Sequence, residues 1–191
     1  MVITHARSKN ATTLLVRTAA IAGFAALTGL GARISFSLPF TPIPFTLQVL
    51  FVLLAGLVLG SRDGAISQLA YLAAITAGLP LDARAIGPAV WMMPTAGYLA
   101  GFVAMAFVTG WIAEHLANLR TAGLILACLA GIAALYMLGA AWLTIFFLHG
   151  NVMNGLLLGV APFLVVDSIK AAIATLLTGG SRSALRRFFG G

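Results

Sequence analysis

The stretch Pro162-Phe163-Leu164-Val165-Val166-Asp167-Ser168-Ile169-Lys170 decides how the chain is read. It sets an acid and a base three residues apart within an apolar run that continues through Ala171 to Leu177. On a helix both side chains would sit at membrane depth, where an ionised group costs several kcal/mol unless it is paired or faces a polar cavity. Residues at i and i+3 share a helical face and can neutralise one another. Two readings follow: an ion pair that only ties helices together, or a ligand pocket that needs one acceptor and one donor in a dry place. Intramembrane charges favour the pocket.

Composition sets the surroundings of that pair. Of 191 residues 61% are hydrophobic and 8% charged, against about a quarter charged in ordinary soluble domains. This predicts an all-α polytopic membrane protein. A net charge of +7 would suggest nucleic acid in a soluble domain. Here the basic residues lie in short loops and at both ends, which is a topology signal, so no nucleic-acid partner is expected and membrane lipid is. The one cysteine, Cys128, lies in an apolar run and reads as a packing residue, with no internal disulfide and no metal cluster. The N-terminal run leads straight into the first span and is read as retained rather than as a cleaved signal.

The expected organisation is a tail at 1–17, one six-helix membrane domain at 18–179 and a basic tail at 180–191, both tails cytoplasmic. Spans are placed at about 18–34, 46–59, 65–77, 94–114, 122–148 and, after the break at Pro162, 162–179. The fifth would be ~40 Å long at 1.5 Å per residue, longer than the ~30 Å hydrocarbon core, so it tilts or protrudes. Gly150 to Ala161 is read as an outer or re-entrant helix. With this layout Arg7, Lys9, Arg17, Arg62, Arg120, Arg182, Arg186 and Arg187 fall inside and only Arg33 and Arg84 outside. That bias puts both termini in the cytoplasm.

Three prolines, Pro39, Pro42 and Pro44, forbid a regular helix in the first outer loop. Its apolar residues predict that it tucks back into the bundle, since non-helical backbone at membrane depth must be buried by protein or line a cavity. Gly60 to Gly64 reads as a tight inner turn, with Ser61 or Asp63 capping the next helix. In the first span Ala19, Ala22, Gly23, Ala25, Ala26 and Gly29 make overlapping small-xxx-small pairs. That flat face is either a seam inside the bundle or a docking face for a separate membrane subunit.

A site around Asp167 and Lys170 would lie in the outer half of the membrane, ~18 Å from the inner end of its helix, roofed by the proline loop and the loop from Leu81 to Met93. The candidate substrate-binding residues are Asp167, Lys170, Gln48, Thr46, Tyr71, Thr95, Tyr98 and Arg84. A mostly apolar, outward-facing pocket with a few convergent polar groups suits a small organic ligand. Nothing resembles a catalytic set: there is no Cys/His pairing, no metal-ligand spacing and no phosphate loop. His5, His115 and His149 are scattered over termini and turns. The chain is therefore read as no enzyme and without a cofactor, and energy for uphill movement must come from a gradient or another subunit.

Three segments resemble one known family. Pro42-Ile43-Pro44-Phe45-Thr46-Leu47-Gln48, leading into Val49 to Gly56, is similar to the first signature of the BioY family, the biotin-binding S-components of energy-coupling factor (ECF) transporters. Gly78-Leu79-Pro80 with Pro94-Thr95-Ala96-Gly97-Tyr98 to Phe102 resembles its second signature. Pro162-Phe163 with Asp167-Ser168-Ile169-Lys170-Ala171 resembles its third. The sequence departs from the family where Asp82 to Pro88 replaces a glycine-rich stretch, at Ala96, and at Val165-Val166. The resemblance implies six helices, capture of biotin from outside, and partners: one transmembrane coupling protein and ATPase subunits, docked through Ala22 and Ala26. Biotin offers ureido N–H donors, a carbonyl, an apolar body and a carboxylate. An Asp can accept from the ureido N–H while a Lys donates to a carbonyl or carboxylate, and Arg84 suits the carboxylate if the pair takes the ring. The alternatives are an S-component for another small vitamin or a stand-alone secondary transporter, and a homo-oligomer is left open.

Overall fold

The computed structural model describes residues 3–179, with side chains from Thr13 onward except Asn118. The expected tail at 180–191 and the Arg7 and Lys9 side chains lie outside the described residues. Helix α1 spans Ile3–Arg33, so much of the segment expected as a polar tail is already helical. A helical stretch over Gln48–Thr76 follows, broken at Gly60, whose φ of 84° and ψ of −179° favour glycine. A straight helix would hold Gln48 and Tyr71 ~34 Å apart, yet Gln48 Nε2 donates to the Tyr71 hydroxyl at 2.6 Å. The chain therefore reverses at Gly60 into two antiparallel helices, α2 (48–59) and α3 (61–76).

Beyond α3 come a 3-10 turn at Gly87–Met92, α4 (Ala96–His115) and α5 (Arg120–Phe147). Then come α6 (Val152–Gly159), a 3-10 turn at Ala161–Phe163 and α7 (Leu164–Gly179). Among the described residues five helical stretches are long and apolar enough to cross a membrane. The reversal at Gly60 makes them six crossings. Helices α6 and α7 run antiparallel to α5 along their whole length. Gly155 faces Thr144, Asp167 meets Tyr136 and Thr175 lies beside Cys128. The segment expected to be outer or re-entrant is thus the first part of the sixth crossing. Pro162 shifts its line without turning it back.

The inner turn differs from the expected one. Neither Ser61 nor Asp63 caps α3. Glu114, from the end of α4, accepts from Ser61 N (2.7 Å) and from Ser61 Oγ (3.0 Å). A neighbouring helix end thereby supplies the anion that the first turn of α3 favours. Asp63 instead receives Arg17 of α1 on both its oxygens, at 2.6 Å each. The outer end of α3 closes on Gly78 (φ 102°), with Gly78 N on Ile75 O and Leu79 N on Ala74 O, both 3.0 Å. That pairing is the Schellman arrangement, which uses up the last free carbonyls.

The proline loop does tuck in. Ser35–Phe36 and Phe45–Thr46 form a two-residue antiparallel ladder in the register Ser35↔Thr46 and Phe36↔Phe45. Phe45 stacks on Phe163, ring centres 4.4 Å apart, and Thr41 Oγ1 donates to Leu158 O at 2.7 Å. The Thr41 hydroxyl therefore fastens the loop to α6, and the Phe45 ring fastens it to the turn before α7.

Polarity runs inside out on α7. Asp167, Lys170, Ala171, Ala174, Thr175 and Thr178 are buried, while Val165, Ile169 and Leu176 are exposed. In water the apolar stripe would face the core, whereas a bilayer reverses the preference. Helix α4 lies between the α2–α3 pair and α5, and α7 packs on both α5 and the pair. Among the helices, α1 leans chiefly on the α2–α3 pair. Its Ala22 and Ala26 are exposed and nothing lies within 4 Å of a Cβ added at Gly23. At that level the small-residue face is not a seam of the bundle. Only the outer part of α1, with Thr28, Gly29, Gly31 and Ala32, is buried.

Gly29 seats the root of the second outer loop: a Cβ placed there would lie 3.5 Å from Leu81 Cβ. That separation is within disulfide range, and the chain has one other cysteine, the buried Cys128. A Gly29→Cys/Leu81→Cys variant is expected to oxidise to an intramolecular bridge in membranes, read as a mobility shift reversed by reductant. Absence of the bridge would contradict this packing of α1.

Candidate ligand site

The site starts from α7. The turn at Ala161–Phe163 places Pro162 ahead of α7, so Asp167 falls in its first turn, where the helix dipole favours an anion. Lys170 Nζ donates to Asp167 Oδ1 at 2.7 Å. From α5 the Tyr136 hydroxyl donates to Asp167 Oδ2 at 2.8 Å. Asp167 is 2% exposed and Lys170 5%. Neither reaches lipid, and both stand in the wall of a cavity. An ion pair this dry persists only with good geometry and further hydrogen bonds, and Tyr136 supplies one.

The cavity has a volume of about 60 Å³, several times the about 10–15 Å³ that one water needs. Seven of the eight candidate residues line it: Thr46, Gln48, Arg84, Thr95, Tyr98, Asp167 and Lys170. The eighth, Tyr71, stands behind the wall. It is fully buried, takes the Gln48 amide on its hydroxyl and donates to Leu81 O at 3.2 Å. Its contact is with Gln48 and the second outer loop rather than with the cavity. Thr46 Oγ1 accepts from Gln48 N at 3.2 Å, steadying the start of α2. The Tyr98 hydroxyl donates to Gly159 O at 2.8 Å and so ties α4 to the end of α6.

The roof comes from the two loops. Ile43 and Pro44 of the first, with Asp82, Ala83, Arg84 and Val90 of the second, close the cavity. Asp82 is 1% exposed. Its Oδ1 accepts from Ile86 N (2.9 Å) and Gly87 N (2.8 Å), and Oδ2 from Arg84 N (3.0 Å). That one carboxylate winds Asp82 to Gly87 into a compact turn where the resembling family has glycines. Arg84 Nη2 then donates to Pro42 O at 2.9 Å, joining the two loops. Among the described residues no three His, Cys, Asp or Glu side chains come together as a metal site would need.

Sequence reasoning missed Tyr136 and Asp82. Tyr136 was legible only as a polar tip in the apolar fifth span, and nothing in the spacing pairs it with α7. Asp82 sits in an Asp-Ala-Arg-Ala-Ile-Gly run in which an Asx-type turn is a recognisable signal.

This fold has counterparts among known proteins. The BioY family profile matches residues 5–187. The chain belongs to the BioY family. A biotin transporter BioY from Rhizobium etli is 39% identical over 171 residues, covering 85% of this chain and 89% of the relative. A biotin transporter BioY from Thermotoga maritima is also 39% identical, over 155 residues, with 81% and 88% covered. Among solved structures, the S-component for biotin from an ECF-type ABC transporter superposes with a TM-score of 0.78 at 26% identity, covering 92% of this chain and 93% of the other. The six-crossing membrane architecture of this BioY chain is that of an S-component, and the relatives named here are transporters, not enzymes.

Proposed function

We propose that this BioY family chain is the biotin-binding subunit of a vitamin uptake transporter, working in the bacterial inner membrane with an ATP-driven partner module. The observation that carries the reading is the Asp167–Lys170 pair. Two ionised groups, almost wholly buried, are turned into a cavity and away from lipid. Relatives named as biotin transporters along most of the chain support the choice of ligand.

The geometry divides the ligand in two. Lys170 and Asp167 set a donor beside an acceptor 2.7 Å apart, which matches the C=O and N–H along one edge of a cyclic urea. Both bonds would be charge-assisted in a dry wall, about twice as strong as neutral ones. Phe102, Leu99, Leu135, Val49 and Phe163 supply apolar wall for the thiophane ring and chain. Arg84, in the second outer loop, lines the cavity at its roof, and its bond to Pro42 O is one a carboxylate can replace. Thr46, Gln48, Thr95 and Tyr98 complete the polar wall. On this reading Tyr71 holds Gln48 and the second loop in place.

Titration of the detergent-solubilised protein with biotin tests the assignment, together with mass spectrometry of small molecules that co-purify. Saturable binding at one biotin per chain is expected. Another vitamin co-purifying, with no heat on adding biotin, would move the ligand assignment elsewhere in the S-component group.

A further inference from the structure

The chain has three tyrosines, and the hydroxyls of two donate to backbone carbonyls, Tyr71 to Leu81 O and Tyr98 to Gly159 O. Those bonds satisfy a buried phenol and need no other explanation. Tyr136 differs because its hydroxyl ends on a carboxylate, Asp167 Oδ2, at 2.8 Å. The ring is not held in place by a filled core on every side. It also borders an apolar groove between α5 and α6 with Met137, Ala140 and Leu156, where a phenylalanine would sit as well.

A carboxylate turns about a broad, roughly two-fold torsion. Lys170, on the same helix and at the end of a flexible stem, pins one oxygen and leaves the plane free to swing. A second donor, on the other oxygen and from a different helix, fixes the plane. An ionised carboxylate offers about four lone-pair sites. With Lys170 on Oδ1 and Tyr136 on Oδ2, one remains on each oxygen, in directions set by α5 and α7 together.

We propose that Tyr136 is a positioning residue: it fixes the rotation of the Asp167 carboxylate so that a free lone pair meets the ureido N–H of the ligand. The inference rests on the biotin reading above. Tyr136 itself lines the cavity, and the inference makes discrimination at the ureido edge depend on the bond its hydroxyl gives to Asp167.

The test compares Tyr136→Phe with the unaltered protein in titration calorimetry, using biotin and its two analogues methylated at one or the other ureido nitrogen. In the unaltered protein at least one analogue should bind roughly ten- to hundredfold more weakly than biotin, the worth of one hydrogen bond to a charged group. In Tyr136→Phe biotin should weaken by roughly tenfold, while that analogue changes little, so the ratio collapses toward one. A merely structural role would weaken both ligands alike and leave the ratio unchanged, which overturns the proposal, as does unaltered biotin affinity in the variant. The ratio is taken on one preparation, so partial unfolding cannot imitate its collapse. If the unaltered protein binds no biotin, the ligand assignment falls and this inference with it. If it binds and the ratio holds, only this inference falls.

Discussion

Asp167→Asn is expected to weaken biotin binding by roughly thirtyfold to several thousandfold, the range that follows when one member of a buried hydrogen-bonded charge pair is truncated, about 2–5 kcal/mol. The amide keeps the shape but turns one oxygen into a donor. It then confronts Lys170 or Tyr136, each of which donates to the carboxylate in the native arrangement. Lys170→Ala should have a similar effect on affinity and a larger one on stability, since it leaves an unpaired carboxylate at 2% exposure. A purely structural ion pair makes a different forecast. Replacing such a pair by apolar groups is often neutral or stabilising, so an Asp167→Asn/Lys170→Met double variant should then fold and bind normally. On the ligand-site reading the double variant recovers its thermal unfolding midpoint but not its affinity. Calorimetry and a melting curve on the three variants decide between them, and a double variant that binds biotin at native strength would defeat the site.

Why the pair could be seen in the sequence, and the geometry around it could not, follows from how each feature is encoded. Asp167 and Lys170 are conspicuous because hydrocarbon excludes charge, so their mere presence between Val166 and Ala171 carries information. The six crossings were legible for the same reason, and Gly60 marked the first inner reversal because few other residues adopt its φ of 84°. Partner choice is another matter. That Glu114 rather than Ser61 or Asp63 caps α3 depends on where the end of α4 lies, and that Asp63 meets Arg17 depends on the lean of α1. Those contacts span more than forty residues, and nothing local announces them.

The same distinction applies along α1. Small residues at spacing four are equally consistent with a seam and with a docking face. Burial divides them: Thr28 to Ala32 pack inward apart from Leu30, and Ala22 to Ala26 contribute the exposed Ala22, Gly23 and Ala26. The site shows a comparable split. Seven polar residues drawn from four separated segments face one cavity because each was chosen as polar in an apolar surround, a criterion that cannot tell a wall from its support. Tyr71 met that criterion and is support.

Replacing Ala22 and Ala26 together with tryptophan is expected to leave biotin affinity within about twofold and to lower energised uptake at least roughly tenfold, the effect of about 1.4 kcal/mol. Neither alanine lines the cavity, and both open outward from a helix that packs on one side only. The added indoles therefore meet lipid in the isolated subunit and cost it little. They fill the space through which another helix would approach, and small residues matter at such contacts because backbone proximity supplies the attraction when water is absent. An S-component that cannot dock to its coupling protein still captures ligand from outside but has no route to the energy of ATP hydrolysis. Co-purification of the ATPase and coupling subunits with the variant, alongside uptake of labelled biotin by cells, reads the two steps apart. Loss of both binding and uptake would indicate a folding defect, and normal uptake would remove this face of α1 from the docking surface. Leu14 and Leu15, exposed on the same helix nearer its N-terminal end, give the control: tryptophan there should be tolerated if contact centres on the small residues.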